Sequence, residues 1–559
     1  MSVVLSKQLP ILASAPGGIK KLRALILELA VRGKLVPQEP NDESASRLVE
    51  QIKHEKTRLK GIGNAKSLPQ VGEEDQPFRI PPNWRWARLG DLTRGINSGG
   101  TPSKSNTSFW NGDIPWASVK DLGFGTPIIS TQDNITAAGL DAGSFLARAG
   151  SIIICTRMGL GKIGEAKIDV AINQDLKAVQ LFEQISKQYF INFFKTLSIS
   201  GSGMTVAGIK QDELLRFPVP VPPVEEQHRI VAKVDELMAL CDRLESEQIN
   251  AEAAHVTLVA NLLSTLTQSN DAADLVANWR RIAEHFESFF TTEASVDALE
   301  HSILRLAVMG KLVPQDPKDE PASKLLKRIK QERDELEARS ARRISKPMPA
   351  LCLDKLPFAL PDGWLWTTIE SIADVGTGTT PLRTNTAYFN PPAIPWVTSG
   401  ETRNPFISET AEKVSVLALE ETNLTVYPAG TLVVAMYGQG KTRGQISELQ
   451  IDAATNQACA SIAPVLKAVE LRKYIKLFFE KIYDEIRAEA AGGAQPNLNV
   501  GKIKSTLISL PPLAEQQRIV AKVDELKALC RDLRTALGES RRQQELLAST
   551  LIESSLNAA

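Results

Sequence analysis

Three stretches carry residue types that could do chemistry. GQGKT, Gly438 to Thr442, has the glycines, lysine and threonine of a nucleotide phosphate loop. In such a loop backbone N–H groups cradle the phosphates, the lysine reaches the terminal ones and the hydroxyl meets magnesium. The full spacing needs glycine where Ala435 stands, and the corresponding GLGKI at Gly159 to Ile163 has no hydroxyl. A Gly-rich basic loop able to approach DNA phosphates fits better. NPPA, Asn390 to Ala393, with VGTGTT at Val375 to Thr380, has parts of a site that holds a flipped adenine. The aromatic that would stack on the base is missing, and the two stretches lie too close together, so NPPA reads as a turn. The histidines are His54, His228, His255, His285 and His301, and no pair forms H-E-x-x-H. They read as solvated or packed side chains, not metal ligands.

Turn-rich stretches offer a different chemistry, hydrogen bonding by polar side chains. Polar side chains in turn-rich stretches have the chemistry to meet base edges. In the first half the candidates are Ser98, Thr101, Lys104, Arg157, Lys162 and Lys210. In the second they are Thr379, Arg383, Tyr437, Gln439, Lys441, Arg443 and Asn497. For each, a merely solvated loop residue is an equal alternative. Trp84, Trp86, Trp364 and Trp366 recur with fixed neighbours and read as core, not as stacking platforms.

The elements that must position these groups come in two copies. Leu22 to Glu55 aligns without gaps on Leu299 to Glu332, with 21 of 34 positions identical, including GKLVPQ at Gly33 and Gly310. Pro222 to Glu245 aligns on Pro511 to Arg534. The period is half the chain, so a structural unit has been duplicated and a solenoid is excluded. Between these segments the halves agree in order: PFRIPPNWRW with PFALPDGWLW, SGGTP with TGTTP, IPW with IPW, and INQ with TNQ. Ile519, Val523, Leu526, Cys530, Leu533 and Leu537 alternate four and three apart, a heptad seam that begins again at Ile230. Pro222-Pro223 and Pro511-Pro512 precede the two seams, where proline can start a helix. These arms are expected to run for roughly 35 to 40 residues, about 50 to 60 Å. The regions between carry β-branched runs such as IIIC and read as mixed, mainly β, with helix near Lys187 to Leu197 and Leu471 to Arg487.

Bulk properties narrow the class. A chain of 559 residues, 43% apolar, is long enough for three to four globular domains. With 65 basic and 65 acidic residues it is no generic polyanion binder, though charge segregated by face still permits specific DNA binding. No apolar run reaches membrane length. The N-terminus makes a poor signal peptide, and the five cysteines (Cys155, Cys241, Cys352, Cys459, Cys530) show no C-x-x-C spacing, which fits a cytoplasmic protein with reduced thiols. Two like domains separated by helical arms suit the twofold symmetry of duplex DNA, and diverged domains suit a bipartite, asymmetric site. A coiled-coil scaffold joining two protein-binding domains is the alternative.

The order of segments resembles the specificity subunit of type I restriction–modification systems. The resemblance rests on PP-x-x-E-Q-x-x-I-V-x-K-V-D, at Pro222 to Asp235 and Pro511 to Asp524, and on P-x-x-W-x-W, at Pro81 to Trp86 and Pro361 to Trp366. It implies an α+β fold: two mixed, mainly β target-recognition domains separated by long antiparallel coiled-coil helical regions, pseudo-twofold by internal duplication. The expected boundaries are helical regions 1–76, 222–345 and 511–559 and target-recognition domains 77–221 and 346–510. It further implies no catalysis and no cofactor in this chain. Double-stranded DNA is the ligand. Two methyltransferase subunits would bring S-adenosylmethionine, and motor–nuclease subunits ATP and magnesium. The helices would set the spacing of the half-sites.

Overall fold

A computed structural model describes residues 11–60, 68–197, 199, 208–269, 272–339, 356–438, 441–492 and 498–557. The chain divides into two compact units, 1–251 with 540–559, and 252–539. The first opens with α1 (Gly18–Val31) and α2 (Ala45–Lys60). Its domain holds β1 (Arg85–Arg88), β2 (Thr93–Ser98), β3 (Trp110–Ala117), β4 (Asp133–Ile135), β5 (Phe145–Ala147), β6 (Ile152–Cys155), β7 (Ile163–Glu165), β8 (Val170–Ile172), β9 (Leu176–Leu181), α3 (Lys187–Phe194) and β10 (Pro218–Val221). Then α4 (Val224–Gln268) leads into the second unit, with α5 (Ala272–Glu284), α6 (Glu293–Val308) and α7 (Ala322–Arg339).

The second domain repeats the plan with β11 (Leu365–Thr368), β12 (Ala373–Thr377), β13 (Ile394–Val397), β14 (Phe406–Ile407), β15 (Glu412–Val414), β16 (Val426–Tyr427), β17 (Leu432–Ala435), β18 (Ile446–Leu449), β19 (Ala453–Thr455), β20 (Cys459–Pro464), α8 (Val469–Gly492) and β21 (Leu507–Leu510). α9 (Leu513–Asn557) ends the chain, and its last turns belong to the first unit.

Each domain has two sheets and a short strand pair. In the first the sheets run β2-β9-β6-β7 and β4-β3-β8-β5; in the second, β12-β20-β17-β18-β14 and β15-β13-β19-β16. The run IIIC forms β6 and is buried on both faces, which is why it reads as continuous rather than alternating. Ile152 and Ile154 pack with Phe190, Phe193 and Phe194 of α3, while Ile153 and Cys155 face Ala117, Leu122 and Ile128. The incoming and outgoing strands pair antiparallel, Trp86 opposite Pro220 and Trp366 opposite Ser509. This pairing delivers Pro222-Pro223 and Pro511-Pro512 to the starts of α4 and α9.

Both long helices have 45 residues, about 68 Å. They exceed the expected arm because α4 contains no glycine or proline and α9 only Gly538. The seam residues Ile230, Val234, Leu237 and Cys241 are buried with Leu22, Leu25, Ile26 and Leu29 of α1. In the second unit Ile519, Val523 and Cys530 are buried in one cluster with Leu299, Ile303 and Leu306 of α6. The near-identical helices are therefore each other's packing partners within a unit.

The repeated GKLVPQ joins three elements. Gly33 and Gly310 end α1 and α6 with φ of 68° and 70°, the left-handed conformation that glycine adopts without penalty. Lys34 Nζ donates to the carbonyl of Leu556, 2.7 Å, in the last turn of α9. Lys311 Nζ donates to those of Thr267 and Ser269, 2.9 and 2.8 Å, at the end of α4. Gln38 Nε2 donates to Glu226, 2.6 Å, and Trp84 Nε1 donates to the same carboxylate, 3.0 Å. Gln315 and Trp364 meet Glu515 likewise, at 3.1 and 2.9 Å. The signature glutamate is thus the acceptor that fastens a domain tryptophan to its arm. Trp84 and Trp364 are buried, as core residues should be, and Trp86 and Trp366 pack at a steep angle against the rings of Phe78 and Phe358.

Glu226 and Glu515 are each 1% exposed, and burial pushes both carboxyls above the usual range, against the pull of the indole and amide bonds and Arg229 or Arg518. A carboxyl whose folded pKa is raised binds its proton more tightly in the native state. Its contribution to stability is greatest below the unfolded pKa near 4.5 and declines as pH rises to the folded value. Replacing both with glutamine removes that slope. The melting-temperature difference, parent minus variant, should fall as pH rises above 4.5 and then level off. A difference that grows with pH across that range, measured by calorimetry, excludes this account of the joint.

Candidate nucleic-acid interface

The first domain gathers a polar patch where β2 and β9 meet the turn before β9. Asn173 and Asp175 shape that turn. Asn173 Oδ1 accepts from the Asp175 amide, 3.1 Å, and the Asp175 carbonyl accepts from the Thr156 amide, 2.8 Å. Ser98 and Lys177 stand opposite each other in the register of β2 and β9, and Lys177 Nζ donates to Ser98 Oγ. Ser98 Oγ in turn lies 3.5 Å from Gln211 Oε1, at the start of the short helix Gln211–Leu215. Arg157 follows β6 and faces Asp175 at 3.6 Å, and its backbone bridges to Gly208. Thr101 Oγ1 donates to Gln174.

The patch is electrostatically incomplete. Burial pushes the Lys177 ammonium down from its usual value, the Arg157 charge pushes it further, and Asp175 opposes both. Two cations share one carboxylate beside the neutral hydrogen-bonding side chains of Ser98, Thr101, Gln174 and Gln211. An acceptor from outside, a guanine edge or a phosphate oxygen, would satisfy them.

The structure brings Ser98, Thr101 and Arg157 to this patch, and Lys210 is exposed next to Gln211. Lys104 is exposed in the turn after Pro102. Lys162 turns inward, donating to the Val119 carbonyl at 2.8 Å. Lys177, Gln174, Asp175 and Gln211 also lie in the patch and are not among the candidates read from the sequence. The signal available was INQ: it precedes a strand whose second residue is a lysine between buried Leu176 and Ala178.

In the second domain the frame is the same and the side chains differ. Thr377 stands opposite Ala460 where the first domain has Ser98 opposite Lys177. Thr377 Oγ1 donates to the Cys459 carbonyl, 2.9 Å. Thr379 is half-buried; its amide donates to the Thr455 carbonyl, 3.1 Å, and its own carbonyl accepts from Trp396 Nε1, 3.3 Å. Arg383 forms a two-bond fork with Glu412, 3.0 and 3.1 Å, and lies over the rings of Phe389 and Trp396. Tyr437 is 38% exposed just after β17. Lys441 lines a cleft of 430 Å³ together with His301, Arg403, Glu480 and Lys527. Arg443 is half-buried, and Gln439 and Asn497 lie outside the described residues. NPPA follows a turn of 3-10 helix at Thr386–Tyr388, with the Asn390 amide on the Thr386 carbonyl. Among the described residues no helix is long and apolar enough to cross a membrane.

One frame repeated with different side chains at matching register defines a two-headed recognition protein. The profile of the type I restriction modification DNA specificity domain matches residues 81–255 and again residues 361–539, and the chain belongs to this family, whose work is DNA sequence recognition. Two relatives from Escherichia coli, the specificity subunits of the type I restriction enzymes EcoAI and EcoEI, are each 32% identical, over 97% of this chain and 94% of theirs. A solved chain from a type I restriction–modification system covers 86% of this chain and 99% of its own at 16% identity and a TM-score of 0.49.

Proposed function

We propose that this chain is the non-catalytic sequence reader of a type I restriction–modification complex, with each domain reading one half of a bipartite, asymmetric DNA site. The observation that carries this is the matched register, Ser98 with Lys177 in one head and Thr377 with Ala460 in the other. A cationic pair and a neutral pair at equivalent places suit different base edges. α4 and α9 set the spacing between half-sites. The helical regions, alike in the two halves, meet two copies of one methyltransferase subunit, which brings S-adenosylmethionine. Motor–nuclease subunits join with ATP and magnesium for cleavage. Residues 77–221 and 346–510 are the two recognition domains.

The test is domain replacement. Pro77 to Pro218 is exchanged for the corresponding domain of a relative, and methylated sites are mapped for the assembled complex. One half of the target should change while the other half and the spacer persist. A change in both halves together would refute the two-head reading.

A further inference from the structure

Duplication creates a pairing problem. α1 and α6 are near copies, as are the first halves of α4 and α9, so α1 could pack on α9 and α6 on α4. The joint does not discriminate. Arg229 pairs with Asp42 at 2.5 Å and Arg518 with Asp319 at 2.6 Å, in the same polarity. The tryptophan–glutamate bonds are equivalent, and the seams present the same residue types. Exchanged helices would satisfy every one of these interactions.

One place differs. In the first unit Arg23 of α1 reaches Asp242 and Glu245 of α4, at 2.5 and 2.8 Å. In the second unit the polarity is inverted: Arg534 of α9 reaches Asp297 and Glu300 of α6, at 2.7 and 2.6 Å. The inversion extends over four aligned positions. Lys20 and Arg23 align with Asp297 and Glu300, and Asp242 and Glu245 align with Arg531 and Arg534. In each cognate pair Arg23 or Arg534 meets two carboxylates, and exposed Lys20 or Arg531, one turn away on the same helix, carries the same positive charge. Each exchanged pair would set Lys20 and Arg23 against Arg531 and Arg534, or four carboxylates against one another.

We propose that these eight residues are a pairing code that directs α1 to α4 and α6 to α9 and rejects the exchanged partners. Stability does not account for the arrangement. Asp242 is 71% exposed and Asp297 57%, and their pairs contribute little to the fold. The less exposed pair of Arg534 with Glu300 contributes more, but would do so in either polarity. Discrimination arises from the repulsion in the wrong pair, which stability of the right pair does not measure. An apolar seam shared by two partners needs such a device, because burial itself carries no identity. The proposal is independent of what the domains recognise.

The test inverts polarity one unit at a time in the full chain. Lys20→Asp, Arg23→Glu, Asp242→Arg and Glu245→Arg give the first unit the polarity of the second. Every native pair stays complementary, but the exchanged pairs become complementary too. Refolding from denaturant should then yield native monomer reduced at least about twofold. Cross-links from α1 to residues 513–537 of α9 should appear by mass spectrometry in the remainder, distinct from the native contacts that α1 and the turn after it make with Ser549 and Leu556. Lys527 stands 4.0 Å from Glu300 where the first unit has Met238, so the second inversion includes it. Adding Asp297→Lys, Glu300→Arg, Arg531→Asp, Arg534→Glu and Lys527→Met inverts the second unit as well and should restore the parent's yield. Parent-like refolding of the first variant with no cross-link from α1 to residues 513–537 overturns the proposal. So does failure of the doubly inverted variant to recover, since the loss would then belong to the substitutions and not to the lost contrast.

Discussion

Replacing Arg157 and Lys177 with alanine should weaken binding to the cognate DNA about a hundredfold or more, with discrimination lost at one half-site only. Each well-placed hydrogen-bonded pair with a base edge contributes about 1–3 kcal/mol, and every 1.4 kcal/mol is tenfold in affinity. Removing both side chains together reaches that size. The fold should tolerate the change. Arg157 is 48% exposed at its side chain, and Lys177 carries a charge that burial and Arg157 both disfavour. Removing the ammonium removes that cost together with its bond to Ser98 and its attraction to Asp175. Mobility shifts with cognate DNA, and with DNA scrambled in each half-site in turn, read the outcome for the assembled complex. Affinity and discrimination both within about twofold of the parent would mean that the patch does not face the bases.

Lys177 also shows where sequence reasoning stops. The helices were legible because their partners recur along the chain at spacings of three and four, and the duplication was legible because α1 and α6 are near copies. The polar loops were legible by composition, which offered Ser98, Thr101 and Arg157 as candidates, and the structure places these three in one patch. Lys177 sits 79 residues from Ser98 and meets it only through strand register, which no local pattern announces. Arg383 shows the same limit from the other side: its neighbours were not legible either. Its guanidinium is held by Glu412, 29 residues away, and by two aromatic rings. The joint was hidden for the same reason: Gln38 and Glu226 lie 188 residues apart, and the signature showed the glutamate without its partners. Position along a strand or helix is written locally; which groups meet across the fold is written in register and connection.

Gly310 and Gly538 should respond oppositely to the same substitution, and the contrast tests what the repeated motif is for. Gly310 ends α6 at φ 70°, where an alanine costs about 1–2 kcal/mol from backbone strain alone. Its new Cβ would stand 2.5 Å from Cγ of Pro361 and 3.0 Å from Cζ2 of Trp364, both part of the rigid domain edge. Overpacking of that kind adds about 1–3 kcal/mol. The neighbouring Lys311 amide donates to the Leu306 carbonyl at 2.9 Å, and its ammonium holds the end of α4, so a displaced turn also loosens that cap. Gly310→Ala should therefore destabilise the second unit by about 2–5 kcal/mol, roughly 5–15 °C in Tm. Gly33→Ala should do the same to the first unit, through Pro81 and Trp84. Gly538 lies inside α9, and a Cβ there meets nothing within 4 Å. Gly538→Ala should stabilise by about 0.5–1 kcal/mol, the ordinary helix preference. Calorimetry on the three variants decides. A Gly310→Ala protein that melts with the parent would show that the helix end can move away from Pro361, and that glycine is not what fixes the domain to its arm.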